Sequence, residues 1–425
     1  MIKESRAILA LAVFRIGLGI IMIMHLLPLI KRVKNYHIAD SVLYFPHRGW
    51  EWLPLLSEGV LLSIVGVSIV CMIAFTLGLM MRYTGLIASL TYLYFILIDK
   101  FYFNNHYYLL ALMVALCAFT VADRSLSLRK DRVHYRTLIS GEHYFVLRLM
   151  LCLVFFYGGI AKINPYWISG DVCHEILKDS PFGSGGFMTG LLTWGGLLFD
   201  LGIGFLLLIP RTRWIAFALA LSFNVMNAII FDDISWFPYF MIFSTVLFLP
   251  GMPVYDDRLR VAKGGKDDVL QGSKFTGGLT LGMTFFFAFQ LLFPLRHYLL
   301  NGYSDWTGQG HYFSWRMKSF TKEASLDLYL LDKANPTSKQ ALNIGLDNYT
   351  IQRAAAMPDM VLRIAEYVAD KVSRQGDTNF AILCDYKVNL NNQGLQTAIK
   401  PNVDLLELDY NMMRNNDWLL PWQPK

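Results

Sequence analysis

The chain has 425 residues, 55% of them hydrophobic and only 16% charged, with a formal net charge of +6 and a mean hydropathy of +0.39. A soluble globular chain is nearer a quarter charged, so these figures argue against a water-soluble fold and for lipid as the solvent. The net charge alone says little, because the placement of Lys and Arg matters more than their sum.

Taken in chain order, apolar runs predict about nine spans, since a helix needs about 20 apolar residues to cross the hydrocarbon core. They are Ala7–Ile30, Glu58–Met81, Thr84–Ile98, Tyr107–Ala122, Phe145–Ile160, Leu191–Ile209, Trp214–Phe231, Trp236–Leu249 and Leu279–Leu295. Several are short, and Trp236–Leu249 is the weakest and also reads as re-entrant. The first run contains Arg15 and lacks a small-residue cleavage site, so it reads as a span rather than a cleaved signal. Charges and amides return from about His297, with no span after it. The expectation is an all-α polytopic membrane domain, 1–296, and a small C-terminal α/β extracytoplasmic domain, 297–425. In the latter, Leu326–Leu331 and Phe380–Leu390 read as strands, Met357–Ser373 as an amphipathic helix and Asn391–Gly394 as a turn.

Loop charges orient the chain. With the N-terminus cytoplasmic, inner segments hold Arg82, the cluster Arg124–Arg136, Arg211, Arg213 and Arg258–Lys274. The first outer loop, with Lys31, Arg32, Lys34 and Arg48, is the exception. This orientation brings Asp99–His106, Lys162, Asp232–Asp233 and the tail to one side of the membrane.

Few residues there carry chemistry. Asp99–Tyr108 interleaves polar and aromatic residues, which suits either an interfacial aromatic belt or a site around Asn104, Asn105 and His106. Lys162 follows Gly158-Gly159 at the end of a span. It either snorkels to the interface or sits in an apolar pocket, which disfavours an ammonium and leaves an amine base. The two glycines let a helix or a flat ligand come close. Arg15 and Arg148 lie inside spans and require an ion pair or a carbonyl cap. Asn224 and Asn227 are one turn apart and are expected to bond neighbouring helices. The five cysteines have no zinc or redox spacing, and only Cys173 and Cys384 could meet outside the bilayer. No metal site, paired-carboxylate spacing, phosphate loop or nucleic-acid partner is expected.

Several stretches occur in order along nearly the whole chain: Leu11-Ala12-Val13-Phe14-Arg15, Asp99-Lys100 with Asn104-Asn105-His106, Lys162-Ile163-Asn164-Pro165-Tyr166-Trp167 with Gly170, and Phe223-Asn224-Val225-Met226-Asn227. Gln290-Leu291 through Pro294, Gly302-Tyr303-Ser304-Asp305-Trp306-Thr307, Phe313-Ser314-Trp315-Arg316-Met317 and Pro401-Asn402-Val403-Asp404 follow. With these the chain resembles the vitamin K-dependent γ-glutamyl carboxylase family, whose membrane part is also called the horizontally transferred transmembrane domain (HTTM). The resemblance implies an integral-membrane enzyme with carbon-carbon lyase and oxidoreductase chemistry, using reduced vitamin K (menaquinol or phylloquinol), O2 and CO2. A lysine at the position of Lys162 deprotonates the quinol. The quinolate reacts with O2 to give a strong base, which removes a γ-proton from a peptidyl Glu, and the carbanion captures CO2 as quinone epoxide forms. Lys162 and His106 are then the catalytic residues, His106 stabilising charge on the quinone oxygens. Asn105, Asn104, Gly158, Gly159 and Trp167 are the cofactor-binding candidates. The implied partners are a Glu-containing peptide or protein and a lipid quinone.

The sequence departs from the family in places. Asn224 stands where animal carboxylases have His, Lys400 where the late element opens with Asp, and Leu43 where they have Cys. The chain is also much shorter than theirs. It looks like a bacterial branch of the inner membrane, for which menaquinone is the expected quinone. The alternatives are quinol epoxidation without carboxylation, a non-catalytic quinone-binding membrane protein, or a transporter. Transport is disfavoured by the absence of repeated halves.

Overall fold

The computed structural model describes residues 5–37, 43–50, 52–231, 234–259, 270, 274–335, 337–374, 376 and 379–424. Among them, seven helices are long and apolar enough to cross a membrane. They are α1 (Leu9–His37), α2 (Glu58–Thr76), α3 (Met81–Ile98), α5 (Glu142–Ala161), α6 (Gly186–Leu208), α7 (Arg213–Ile230) and α9 (Gly277–Leu299). Two shorter apolar helices, α4 (Asn105–Ala118) and α8 (Phe237–Phe248), occupy the remaining expected positions. By length and composition, then, seven rather than nine qualify as spans.

Large apolar side chains such as Val67, Val70, Leu198, Phe205, Ile215, Phe285 and Leu292 are exposed on the outside of the helices. They have no protein to pack against and suit contact with lipid. Inside, α1 packs on α2, α2 on α3, α3 on α4, α5 on α6, and α6 on α7. The α5–α6 contact is close because Gly159 lacks a side chain. A Cβ there would lie 2.7 Å from Leu201 Cδ2 and 2.9 Å from its backbone nitrogen.

The buried arginines are capped by carbonyls, one of the two outcomes expected for them. Arg15 donates to Ala122 O (2.6 Å), Ser125 O (3.1 Å) and Leu126 O (2.6 Å). Arg148 donates to Leu247 O (2.8 Å) and Pro250 O (3.3 Å). Each guanidinium closes a helix end or turn whose carbonyls would otherwise be unpaired in hydrocarbon.

Two of the four charges that broke the loop rule, Arg32 and Arg48, have protein partners. Arg32, on the last turns of α1, donates to Phe95 O (3.1 Å) and Asp99 O (3.2 Å) and stacks 3.8 Å over the Tyr102 ring. Arg48 pairs with Glu366. Charges bound in this way report packing rather than membrane orientation.

After α9 comes an antiparallel sheet of β1 (Lys322–Asp332), β2 (Lys339–Leu342), β3 (Phe380–Leu390) and β4 (Leu395–Thr397), in the order β2-β1-β3-β4. Leu326 faces Tyr386 and Leu328 faces Cys384 across the β1–β3 pair. Helices α10 (Asn348–Ala355) and α11 (Pro358–Arg374) complete the region. Asp347 caps α10 by accepting from Thr350 N (3.0 Å). Val361, Ile364, Ala365 and Val368 of α11 share one core with Leu328, Ile382, Tyr386 and Val388. The apolar spacing read from the sequence is that of this buried face. All five cysteines are free, Cys173 and Cys384 included.

The sheet region is tied to the membrane helices through the segment leading into α4. Lys100 and Asp359 form a buried ion pair. Arg353 donates to Phe101 O (3.0 Å), Asn105 Nδ2 to Arg316 O (3.0 Å), and Trp315 stacks on Tyr108 with centroids 5.1 Å apart.

Candidate active site

A cavity of about 370 Å³ lies where α4–α8 meet the underside of the sheet region. Its volume falls within the range of about 300–1,000 Å³ usual for small-molecule sites.

The membrane end is built around Lys162. Asn164 accepts from Trp167 N (2.9 Å) and so caps the short helix Pro165–Ile168, with Pro165 at its first position. The Asn-Pro-Tyr-Trp motif thereby turns the chain back under Lys162. Trp167 is fixed by donating its indole N–H to Thr193 O (2.9 Å), and Lys162 Nζ lies 5.1 Å from a Trp167 ring centroid. On its other side, Lys162 Nζ donates to Asp200 Oδ2 of α6. Both side chains are 8% exposed. Of the two readings that the sequence left open, snorkelling to the interface does not hold, and the buried amine is not alone: Lys162 is one half of a buried ion pair. Gly158 lines the cavity and makes room for that pair, since a Cβ there would lie 3.2 Å from Asp200 Oδ2. Gly159 is not a cavity-lining residue; Leu201 occupies its open face.

His106 and Asn105 open α4. The His106 ring stacks on Phe237 with centroids 5.3 Å apart, and its Nε2 is buried without a hydrogen-bond partner. Asn105 spends its amide N–H on Arg316 O and leaves a buried, unpartnered Oδ1. Asn104 caps α4 through its own carbonyl, which accepts from Tyr107 N (3.0 Å) and Tyr108 N (3.1 Å). Asn104, Asn105, His106, Gly158, Lys162 and Trp167 thus all line one cavity. Leaving a buried polar atom unpaired costs about 1–3 kcal/mol, so two such atoms on one wall suit a polar ligand.

Asn224 and Asn227 also line the cavity. Asn224 Nδ2 donates to Ala220 O (2.8 Å) of its own helix, rather than to a neighbouring helix as expected, because α7 turns that face toward open space. Asp232 and Asp233 lie outside the described residues.

The far end of the cavity was not foreseen. Lys322 donates to Asp305 O (2.9 Å) and Trp306 O (3.0 Å), and Arg353 donates to Phe101 O and Tyr349 OH (3.1 Å). Burial pushes the Lys322 amine down to about 7, with the Asp305 carboxylate pulling the other way. His311 lines the same cavity: burial first, then the charges of Lys322, Arg316 and Arg353, push it down to about 4. Arg316 is held by a bidentate contact with Asp305 (2.7 and 3.1 Å). This end therefore presents positive charge to the cavity. Among the described residues, no cluster of three or more His, Cys, Asp or Glu could hold a metal ion.

Fold and site together define a polytopic helical membrane protein with an amine-bearing cavity roofed by a small sheet region. Residues 4–251 match the HTTM domain family, and residues 277–425 match the lumenal domain of vitamin K-dependent gamma-carboxylase. The first match covers more than half the chain, and the chain belongs to the vitamin K-dependent gamma-carboxylase family. No solved structure matches it.

Proposed function

We propose that the protein is a quinol-dependent γ-glutamyl carboxylase-like enzyme of the bacterial inner membrane, acting on a Glu-containing peptide or protein. In this reading α4 and α8 complete about nine crossings, the N-terminus is cytoplasmic and the cavity opens extracytoplasmically. The boundary between membrane part and C-terminal domain falls at 296/297, in the last turns of α9.

The observation that carries the proposal is the cavity wall shared by Lys162, His106 and Asn105, with unpartnered polar atoms on the last two. These residues fit a flat aromatic diol. Phe237 and Phe223 supply apolar faces, while His106 Nε2 and Asn105 Oδ1 supply open hydrogen-bonding positions. Reduced vitamin K, with O2, supplies the strong base that takes the γ-proton of Glu, whose carbanion then captures CO2. Lys162 Nζ takes the proton from a ligand hydroxyl. His106 Nε2 hydrogen-bonds the second oxygen as charge develops there, a donor fixed in advance and therefore worth more than one in water. Val154, Phe155, Phe223 and Phe231 keep water from the reacting atoms. Lys322 and Arg353 hold the substrate carboxylate at the opposite end.

The test is incubation of the purified protein in lipid with reduced menaquinone, labelled bicarbonate and a Glu peptide. Fixed label together with quinone epoxide supports the proposal. Epoxide without label selects the carboxylation-free alternative, and the absence of both epoxide and fixed label refutes quinol chemistry.

A further inference from the structure

Asp200 is the only charged residue in Gly186–Leu208, and it is buried beside Lys162. A charge in an apolar helix is costly and is usually paired or functional. Packing alone does not require the pair, because well-packed apolar residues often replace a buried ion pair without loss of stability. The surroundings preserve it nonetheless. Gly158 leaves the space that the carboxylate fills, and the Trp167 ring holds the amine from the other side.

The pair also answers a chemical question. An ammonium has no lone pair, so Lys162 held as the cation of an ion pair cannot accept a proton unless it passes one on. Asp200 Oδ2 already accepts a hydrogen bond from Lys162 Nζ. It is therefore the nearest available acceptor.

Resting on the reading of Lys162 as the base, we propose that Asp200 is the positioning residue that receives its proton. A Lys162 N–H bond breaks as an Asp200 O–H bond forms, and Lys162 takes the proton of a ligand hydroxyl in its place. Lys162 ends as an ammonium, Asp200 as a neutral acid and the ligand with one negative charge. The total charge of the cavity is unchanged throughout, so no net charge is created in the low-dielectric interior.

The experiment uses the full-length protein in lipid nanodiscs under nitrogen, with menadiol as the probe and the absorbance band of its monoanion as the readout. Without O2 there is no turnover, so the band reports proton transfer rather than activity. Menadione binding to each variant checks that the site is folded. Asp200→Asn is expected to bind menadione like the wild type yet form about tenfold or more less monoanion, and Asp200→Glu to restore it. If Asp200→Asn ionises the probe like the wild type while Lys162→Ala does not, the inference is overturned and the base assignment stands. If Lys162→Ala ionises it as well, the base assignment itself falls. Should Asp200→Asn fail to bind menadione, Asp200→Glu decides. Monoanion formed by a carboxylate one methylene further out upholds the role, and its loss with binding intact overturns it.

Discussion

The two ends of the cavity handle charge differently. At the membrane end, Lys162 is neutralised by Asp200, and the neighbouring His106 Nε2 and Asn105 Oδ1 are left without a hydrogen-bond partner. At the sheet end, Lys322 and Arg353 rest on backbone carbonyls and a phenol, none of which cancels a positive charge. A balanced ion pair can shuttle a proton without changing the local charge, whereas carbonyl-bound cations attract an anion. One end therefore suits proton transfer and the other carboxylate docking, which is the division that a carbanion-forming reaction on Glu requires.

The sharpest break of this contrast is Lys162→Ala. Losing a positioned base costs typically about 10²–10⁴ in rate, and quinone epoxide formation, followed by chromatography, is expected to fall by at least the lower figure. Next comes His106→Ala, which removes one charge-stabilising donor. A loss of about 10²–10³ in kcat is expected, with quinone still bound.

The sheet end responds to pH instead. Lys322, pushed down to about 7, is charged below that pH and neutral above it. A Glu side chain ionises near about 4.3 and stays negative throughout, and His311, near 4, stays neutral. The KM for a Glu peptide is thus expected to rise as pH passes above about 7. Lys322→Arg, which keeps its charge, should flatten that rise in a kcat/KM profile. The smallest effect is expected at Gly159. An Ala methyl there would meet Leu201 at 2.7 Å, and such overpacking costs about 1–3 kcal/mol. It should appear as a lowered thermal unfolding midpoint with quinone affinity little changed.

Much of this architecture was legible because lipid imposes long apolar runs. Each expected span falls on a helix, and the strand Phe380–Leu390 has the expected bounds. The strand Leu326–Leu331 extends to Lys322–Asp332 because its outer residues are polar and pair through the backbone, which hydropathy does not register. The wall containing Lys162, Trp167, Asn105 and His106 was reachable through contiguous motifs. Asp200 was missed although the argument applied to Arg15 and Arg148 covers it, since a lone acid in a span needs a partner. That partner lies 38 residues away, beyond any spacing rule. Lys322 and Arg353 were missed for a related reason: a charged residue at the start of a strand and another near the end of a helix look solvated until the sheet region folds over the cavity.

The most direct measurement is a structure of the protein in lipid with a naphthoquinone bound. The account predicts one ring oxygen within hydrogen-bond distance of Lys162 Nζ and the other near His106 Nε2, with the ring against Phe237. A quinone lodged elsewhere, with Lys162 still enclosed by Asp200 and Trp167 and out of reach of either oxygen, would contradict it.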